Sequence, residues 1–190
     1  MIAACAHSAG AKATFDSIKG SYQPSDTLLL DRHGELLHRL RTALVLSEDK
    51  RFYEHSGVDW RAASTITMQL AGLLDEDLKR GSGGRSVVQK IGQTVSALLL
   101  ERTWRKDQIL EAYLNLVPFR GELVGIDALS QTLFSKAAHG LDHREAAVAA
   151  ALVRAPNAKV PQVVQRACRS KRLATSTATA WRWAAPKCRC

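Results

Sequence analysis

Apolar residues that return every three or four positions constrain this chain more tightly than any other feature. Val87, Val88, Ile91, Val95, Leu98 and Leu99 form one stripe with a period of 3.6. Ile109, Leu110, Tyr113, Leu114 and Val117 form a second, which Pro118 stops. Alanine-rich Ala146 to Ala155 carries the helical pattern to Pro156, and Asp142-His143-Arg144-Glu145 in front of it reads as a helix cap. Thr42 to His55 is expected to be helical for at least its first half, and another helix is expected around Ala128 to Phe134. Strand signals are confined to the beginning. The apolar runs Leu28 to Leu30 and Leu36-Leu37 flank a turn with His33 and Gly34, the pattern of a hairpin. The expected fold is mainly α, with a short N-terminal β-hairpin.

Three regions follow from these patterns. Residues 1–41 are an N-terminal lead-in and the hairpin, 42–168 are the folded domain, and 169–190 are an irregular basic tail. The tail reads better as sequence never selected to pack, such as an out-of-frame or truncated reading gives, than as an interaction segment. At 190 residues and 46% hydrophobic content the chain can build one core. It has no run of the roughly 18 apolar residues that make a membrane helix, and Met1 to Lys12 lacks the pattern of a signal peptide. The expectation is a soluble chain or a fragment of something anchored. The formal net charge of +9 raises nucleic acid as a partner, but residues 166–190 hold seven cations and no acid. The body of the chain is close to balanced, so no nucleic-acid partner is expected. Cys5, Cys168, Cys188 and Cys190 offer no C-x-x-C spacing for zinc or a disulfide framework.

The densest chemistry lies in Glu48 to Gly57, which gathers three carboxylates, two cations, a histidine and two aromatics after the apolar run Leu44-Val45-Leu46. A carboxylate leaving an apolar helix suits a general base, because desolvation raises its pKa. An ion-paired helix end is the competing reading of the same residues. Downstream, Ser64 or Thr65 can cap a helix whose exposed N–H groups also suit an anion. Asp75 to Gly84 reads as a loop without a phosphate-loop pattern, and Ser86-Val87-Val88-Gln89 as a capping box. Lys90 and Gln93 share a face off the first stripe, and Arg85 precedes that helix, so these side chains can converge on one anionic ligand near the helix start.

Taken in order, these segments resemble the peptidoglycan glycosyltransferase domain, glycosyltransferase family 51, over about residues 42–168. The motifs are Glu48-Asp49-x-x-Phe52-x-x-His55-x-Gly57, Ser64-Thr65-Ile66-Thr67-Met68-Gln69, the helix with Lys90, Ile109 to Asn115, and Glu145-Ala146-Ala147 leading to Ala155-Pro156-Asn157. Met68-Gln69, Gln89-Lys90 and Val117 to Gly121 look most like the C-type subgroup of class A bifunctional penicillin-binding proteins.

The resemblance implies a lysozyme-like domain that polymerises lipid II into glycan strands at the periplasmic face of the bacterial inner membrane. It implies Glu48 as the base that deprotonates the acceptor 4-hydroxyl, with Asp49, Phe52, His55 and Gln93 supporting the site. Ser64, Thr65 and Gln69 would shape the substrate cleft, and Arg85 and Lys90 would hold the pyrophosphate that leaves with inversion. No cofactor is certain, although a divalent cation such as magnesium or manganese suits the pyrophosphate. The implied partners are lipid II, the growing glycan strand, the cytoplasmic membrane surface and other cell-wall synthesis proteins.

Four departures accompany the resemblance. Gln93 stands where the family usually has a glutamate, and Gly72 where a lysine or arginine is common. Only four residues separate Asp59 from Ser64, where relatives carry roughly a helix and a loop more, and the segment before Thr42 also looks shortened. The expectation is a chain without the membrane anchor or the transpeptidase domain of bifunctional relatives. The alternative is a catalytically inactive, truncated remnant that at most binds the lipid-pyrophosphate substrate.

Overall fold

The structure is a computed structural model and describes residues 15–17, 35–75, 78, 87–120 and 123–177. Among them the helices are α1 (Glu35–Glu48), α2 (Ile66–Leu74), α3 (Val87–Thr103), α4 (Lys106–Leu116), α5 (Ile126–Phe134), α6 (His143–Arg154) and α7 (Val160–Thr177). A 3-10 turn at Ala138–Gly140 precedes α6. The one β feature among the described residues is an isolated antiparallel bridge between Pro118 and Val124. The chain is mainly helical, as the apolar periodicity predicts.

Alanine makes α6 the centre of one packing group. Ala146, Ala147, Ala149, Ala150 and Ala151 are buried, and their short side chains let α1 and α7 lie against α6. Asp142 caps α6 by accepting from the Arg144 and Glu145 amides, and the Glu145 side chain returns a bond to the Asp142 N–H. That satisfies the orphan donors of the first turn. In a second group α2 packs on α3 and α4, and α5 touches both α4 and α6. Tyr113, Phe52, Leu44, Ile66, Leu70 and Ile109 are fully enclosed in a core shared by both groups.

The structure corrects several expectations. Glu35 to Leu37, read as the second arm of a hairpin, form the first turn of α1, while Leu28 to Gly34 lie outside the described residues. The helix that contains Leu36 and Leu37 goes on to bury Leu40 and Leu44. Phe15–Ser17 of the lead-in form a helical turn, with the Phe15 ring edge-on to Trp104 at 5.3 Å between centroids. At the other end α7 passes the expected boundary at Cys168 and runs to Thr177. Pro161 in its first turn suits a helix start, and Arg, Lys, Leu and Ala favour propagation through the basic stretch.

The first apolar stripe faces outward. Val87 and Val88 are 76% and 77% exposed, and Ile91 and Val95 more than half, whereas the buried side of α3 carries Gln93 and Ala97. Small residues explain the choice, because they admit close approach of neighbouring chain. A Cβ at Gly57 would stand 2.7 Å from the Ala97 carbonyl oxygen, and one at Gly72 would stand 2.4 Å from Gln93 Nε2. Among the described residues no helix is long and apolar enough to cross a membrane.

Gly57 also has φ +90, so it combines a backbone that L side chains rarely adopt with contact against α3. Replacing Gly57 by alanine is expected to lower the unfolding free energy by about 2–4 kcal/mol, from backbone strain plus overpacking. Urea denaturation at pH 7 measures this; an unchanged midpoint would show that the contact is not tight.

Candidate active site

Two adjacent carboxylates meet the end of α1 in different ways. Asp49 is 3% exposed and fully engaged. Its Oδ2 accepts from the Ile66 amide at 3.1 Å, and its carboxylate lies 3.0 and 3.1 Å from His55 Nε2. The Ile66 amide is one of the unpaired donors at the start of α2, so Asp49 fastens the end of α1 to the beginning of α2. Thr65 completes the joint: its hydroxyl accepts from the Met68 amide at 3.1 Å and donates to the Gly57 carbonyl at 2.6 Å.

Glu48 is the last residue of α1 and is half-buried. Ser47 Oγ donates to Glu48 Oε1 at 3.2 Å, and the Gln69 side chain also hydrogen-bonds this carboxylate. Gln69 is aimed by Tyr113, whose hydroxyl donates to Gln69 Oε1 at 2.8 Å. Burial pushes the Glu48 pKa above its ordinary value; the charges of Arg154 and Arg166 and the bonds from Ser47 and Gln69 oppose the rise without cancelling it. The negative end of a helix dipole is likewise an unfavourable place for a carboxylate. A carboxylate that is desolvated yet not tied up in structural bonds can accept a proton from a substrate hydroxyl.

A buried network supports the turn that follows. Lys106 Nζ donates to the His55 carbonyl at 2.7 Å and to Glu101 Oε1 at 2.6 Å, and lies 4.3 Å from the centroid of the enclosed Phe52 ring. Thr67 Oγ1 donates to the same Glu101 oxygen at 2.6 Å. Arg51 pairs with Asp59, whose Oδ1 also accepts from the Arg61 amide.

The structure brings Glu48, Asp49, Phe52, His55, Thr65 and Gln69 into one neighbourhood. Ser64 is close in sequence, and its buried Oγ has no protein partner. Lys90 is exposed on α3 and Arg85 lies outside the described residues. Gln93 departs from the expected shared face with Lys90: it is 2% exposed, and its Nε2 donates to the Leu78 carbonyl at 2.8 Å. The space it occupies exists because position 72 is glycine, so the departures at 72 and 93 are physically coupled. Sequence reasoning missed Lys106, Glu101, the aiming role of Tyr113, and Arg154, whose Nη1 donates to the Ser47 carbonyl at 2.9 Å. A lone cation closing an alanine-rich helix was the available signal for Arg154. Among the described residues, no group of three or more His, Cys, Asp or Glu side chains is placed to hold a metal ion.

A family model described as Transglycosylase matches residues 61–179, more than half of the chain. The chain belongs to the transglycosylase family. The glycosyltransferase family 51 resemblance carried by the motifs is thus confirmed, and the helical architecture agrees with a lysozyme-like transglycosylase domain. Penicillin-binding protein 1F of Bacillus subtilis is 34% identical over 146 residues, covering 67% of this chain and 20% of that protein. Biosynthetic peptidoglycan transglycosylases of Shewanella denitrificans and a Marinomonas species are 36% and 37% identical, covering 67% and 63% of this chain and 60% and 58% of theirs. The chain therefore spans a fifth to about three-fifths of the length of these relatives. The family match begins downstream of Glu48, so membership of the transglycosylase family rests on the later motifs.

The raised pKa of Glu48 has a consequence for stability. Below the ordinary carboxylate pKa both folded and unfolded chains hold the proton, and burial of Glu48 costs nothing electrostatic. As pH rises from there through the higher folded pKa, the unfolded chain releases its proton first, and stability falls by the cost of the buried charge. Glu48→Gln is therefore expected to be more stable than the native chain at pH 7.5, with the difference closing near pH 4. Thermal unfolding at both values checks this; equal stabilities at pH 7.5 would mean that Glu48 is not desolvated.

Proposed function

We propose that this chain is the catalytic portion of a peptidoglycan glycosyltransferase that joins lipid II units into glycan strands and releases undecaprenyl pyrophosphate. Glu48 takes the proton of the acceptor 4-hydroxyl as that oxygen attacks the donor's anomeric carbon. The bond to the lipid pyrophosphate breaks on the opposite face with its electron pair leaving on oxygen, so the configuration inverts. Lys90 and Arg85 neutralise the departing charge, which a good leaving group needs more than it needs a proton. Asp49, His55 and Phe52 hold the turn that carries Glu48, and Gln69 orients the carboxylate. Thr65 works by fixing the start of α2, since its hydroxyl is spent on the cap and on Gly57, whereas the Ser64 hydroxyl remains for substrate. A divalent cation would enter with the pyrophosphate rather than on a cluster of protein carboxylates. The reaction takes place at the periplasmic face of the inner membrane, with other cell-wall synthesis proteins as neighbours.

The observation that carries this reading is the division of labour between Glu48 and Asp49. Asp49 spends its carboxylate on a buried backbone amide and a histidine, while Glu48 keeps a raised pKa at the helix end. A second reading, a remnant that binds lipid pyrophosphate without turning it over, is favoured by the inward turn of Gln93 and the outward stripe of α3.

Incubation of the chain with fluorescent lipid II in detergent, followed by gel analysis, separates these readings. The native chain should form glycan strands, and Glu48→Gln should slow them by about 10²–10⁴-fold, the usual contribution of a general base. Equal rates in the two proteins would remove Glu48 as the base. Retention of lipid II without polymer would select the binding remnant.

A further inference from the structure

Beyond the motifs, one cation approaches Glu48 from a distant part of the chain. Arg154 closes α6, and its guanidinium reaches across to donate to the carbonyl of Ser47, 107 residues away, at 2.9 Å. That carbonyl belongs to the last turn of α1, where carbonyls have no partner within the helix. Ser47 is also the residue whose hydroxyl donates to Glu48. A single side chain thus bonds the backbone next to Glu48 and brings a positive charge to the negative end of α1.

We infer that Arg154 is a positioning residue for Glu48: it pins the end of α1 through the Ser47 carbonyl and holds its positive charge at the turn that carries the Glu48 carboxylate. The inference rests on the reading of Glu48 as the base. The groups that act on this carboxylate come from four helices: Ser47 from α1, Gln69 from α2, Arg154 from α6 and Arg166 from α7. Ser47 and Gln69 are neutral, so the two arginines are the charges to weigh. Arg166 has a buried Nη1 with no protein acceptor, whereas Arg154 is exposed and bonded to the turn that bears the base. Arg154 is therefore the cation whose removal changes both the geometry and the charge at Glu48. Its exposure has a functional side, since a solvent-facing guanidinium beside the base screens less strongly than a buried one and leaves Glu48 able to take a proton.

The test uses the full chain with glutamate labelled with carbon-13 at the side-chain carboxyl, the Glu48 signal being identified by its loss in Glu48→Gln. Arg154→Gln keeps a donor for the Ser47 carbonyl but removes the charge, and Arg154→Lys keeps the charge. The titration midpoint of Glu48 should move to higher pH in Arg154→Gln and stay near the native value in Arg154→Lys. In Arg154→Gln the acid limb of the lipid II polymerisation rate should move up with it, because the base must be deprotonated. An unmoved midpoint in Arg154→Gln overturns the inference, as does an equal movement in both variants, which would mark a purely structural role. A midpoint that moves while the acid limb stays in place would uphold the action of Arg154 on Glu48 and instead overturn Glu48 as the base.

Discussion

The site depends on one buried carboxylate. Asp49 stands between the end of α1 and the beginning of α2, and its oxygens meet the Ile66 amide and the His55 ring. A carboxylate so enclosed is expensive to bury unless its lone pairs are satisfied, and here backbone and histidine satisfy them. The bond has a geometric result. It fixes the direction in which α1 ends, so the preceding residue, Glu48, comes to the Gln69 side chain of α2, which Tyr113 of α4 aims. The two packing groups, α1 with α6 and α7, and α2 with α3 and α4, are joined at the same place. The candidate site therefore lies where the two halves of the core are fastened together.

Much of this was legible in the sequence. Periodic apolar residues marked α4 and α6, proline marked their ends, and Asp142 with Glu145 announced the cap of α6. The charge cluster after Leu46 marked the turn of the site. What remained hidden depends on distances that no local pattern encodes. Lys106 reaching the His55 carbonyl, and Arg154 reaching that of Ser47, are contacts between residues far apart in the chain. The second arm of the hairpin reading gave way for a related reason: Leu36-Leu37 alone has no period, and the chain continues from it as one helix through Leu40 and Leu44.

The stripe on α3 shows how packing overrides pattern. A 3.6-residue apolar stripe ordinarily marks the side of a helix that faces the core. Here Gly57, Gly72 and Ala97 permit close approach on the other side, and the tight fit draws α3 onto α2 by that face. The connection from Asp59 to Ser64 is too short to place a helix over the stripe, and Trp60 within it is itself 83% exposed. Gly72 and Gln93 belong to the same event. With no side chain at 72, the Gln93 amide folds inward onto the Leu78 carbonyl and makes a neutral contact there.

Native-state hydrogen exchange at the Ile66 amide tests the central claim most directly, because this proton sits in the bond that joins α1 to α2. If Asp49 fastens the two groups as described, the Ile66 amide exchanges as slowly as the core amides of Ala149 and Ala150, through global unfolding alone. In Asp49→Ala it should exchange at least about tenfold faster than those same amides, a factor equivalent to about 1.4 kcal/mol of local opening. An Ile66 amide that exchanges in the native chain as fast as the amide of exposed Ala63, or that keeps pace with Ala149 and Ala150 in Asp49→Ala, would contradict the account.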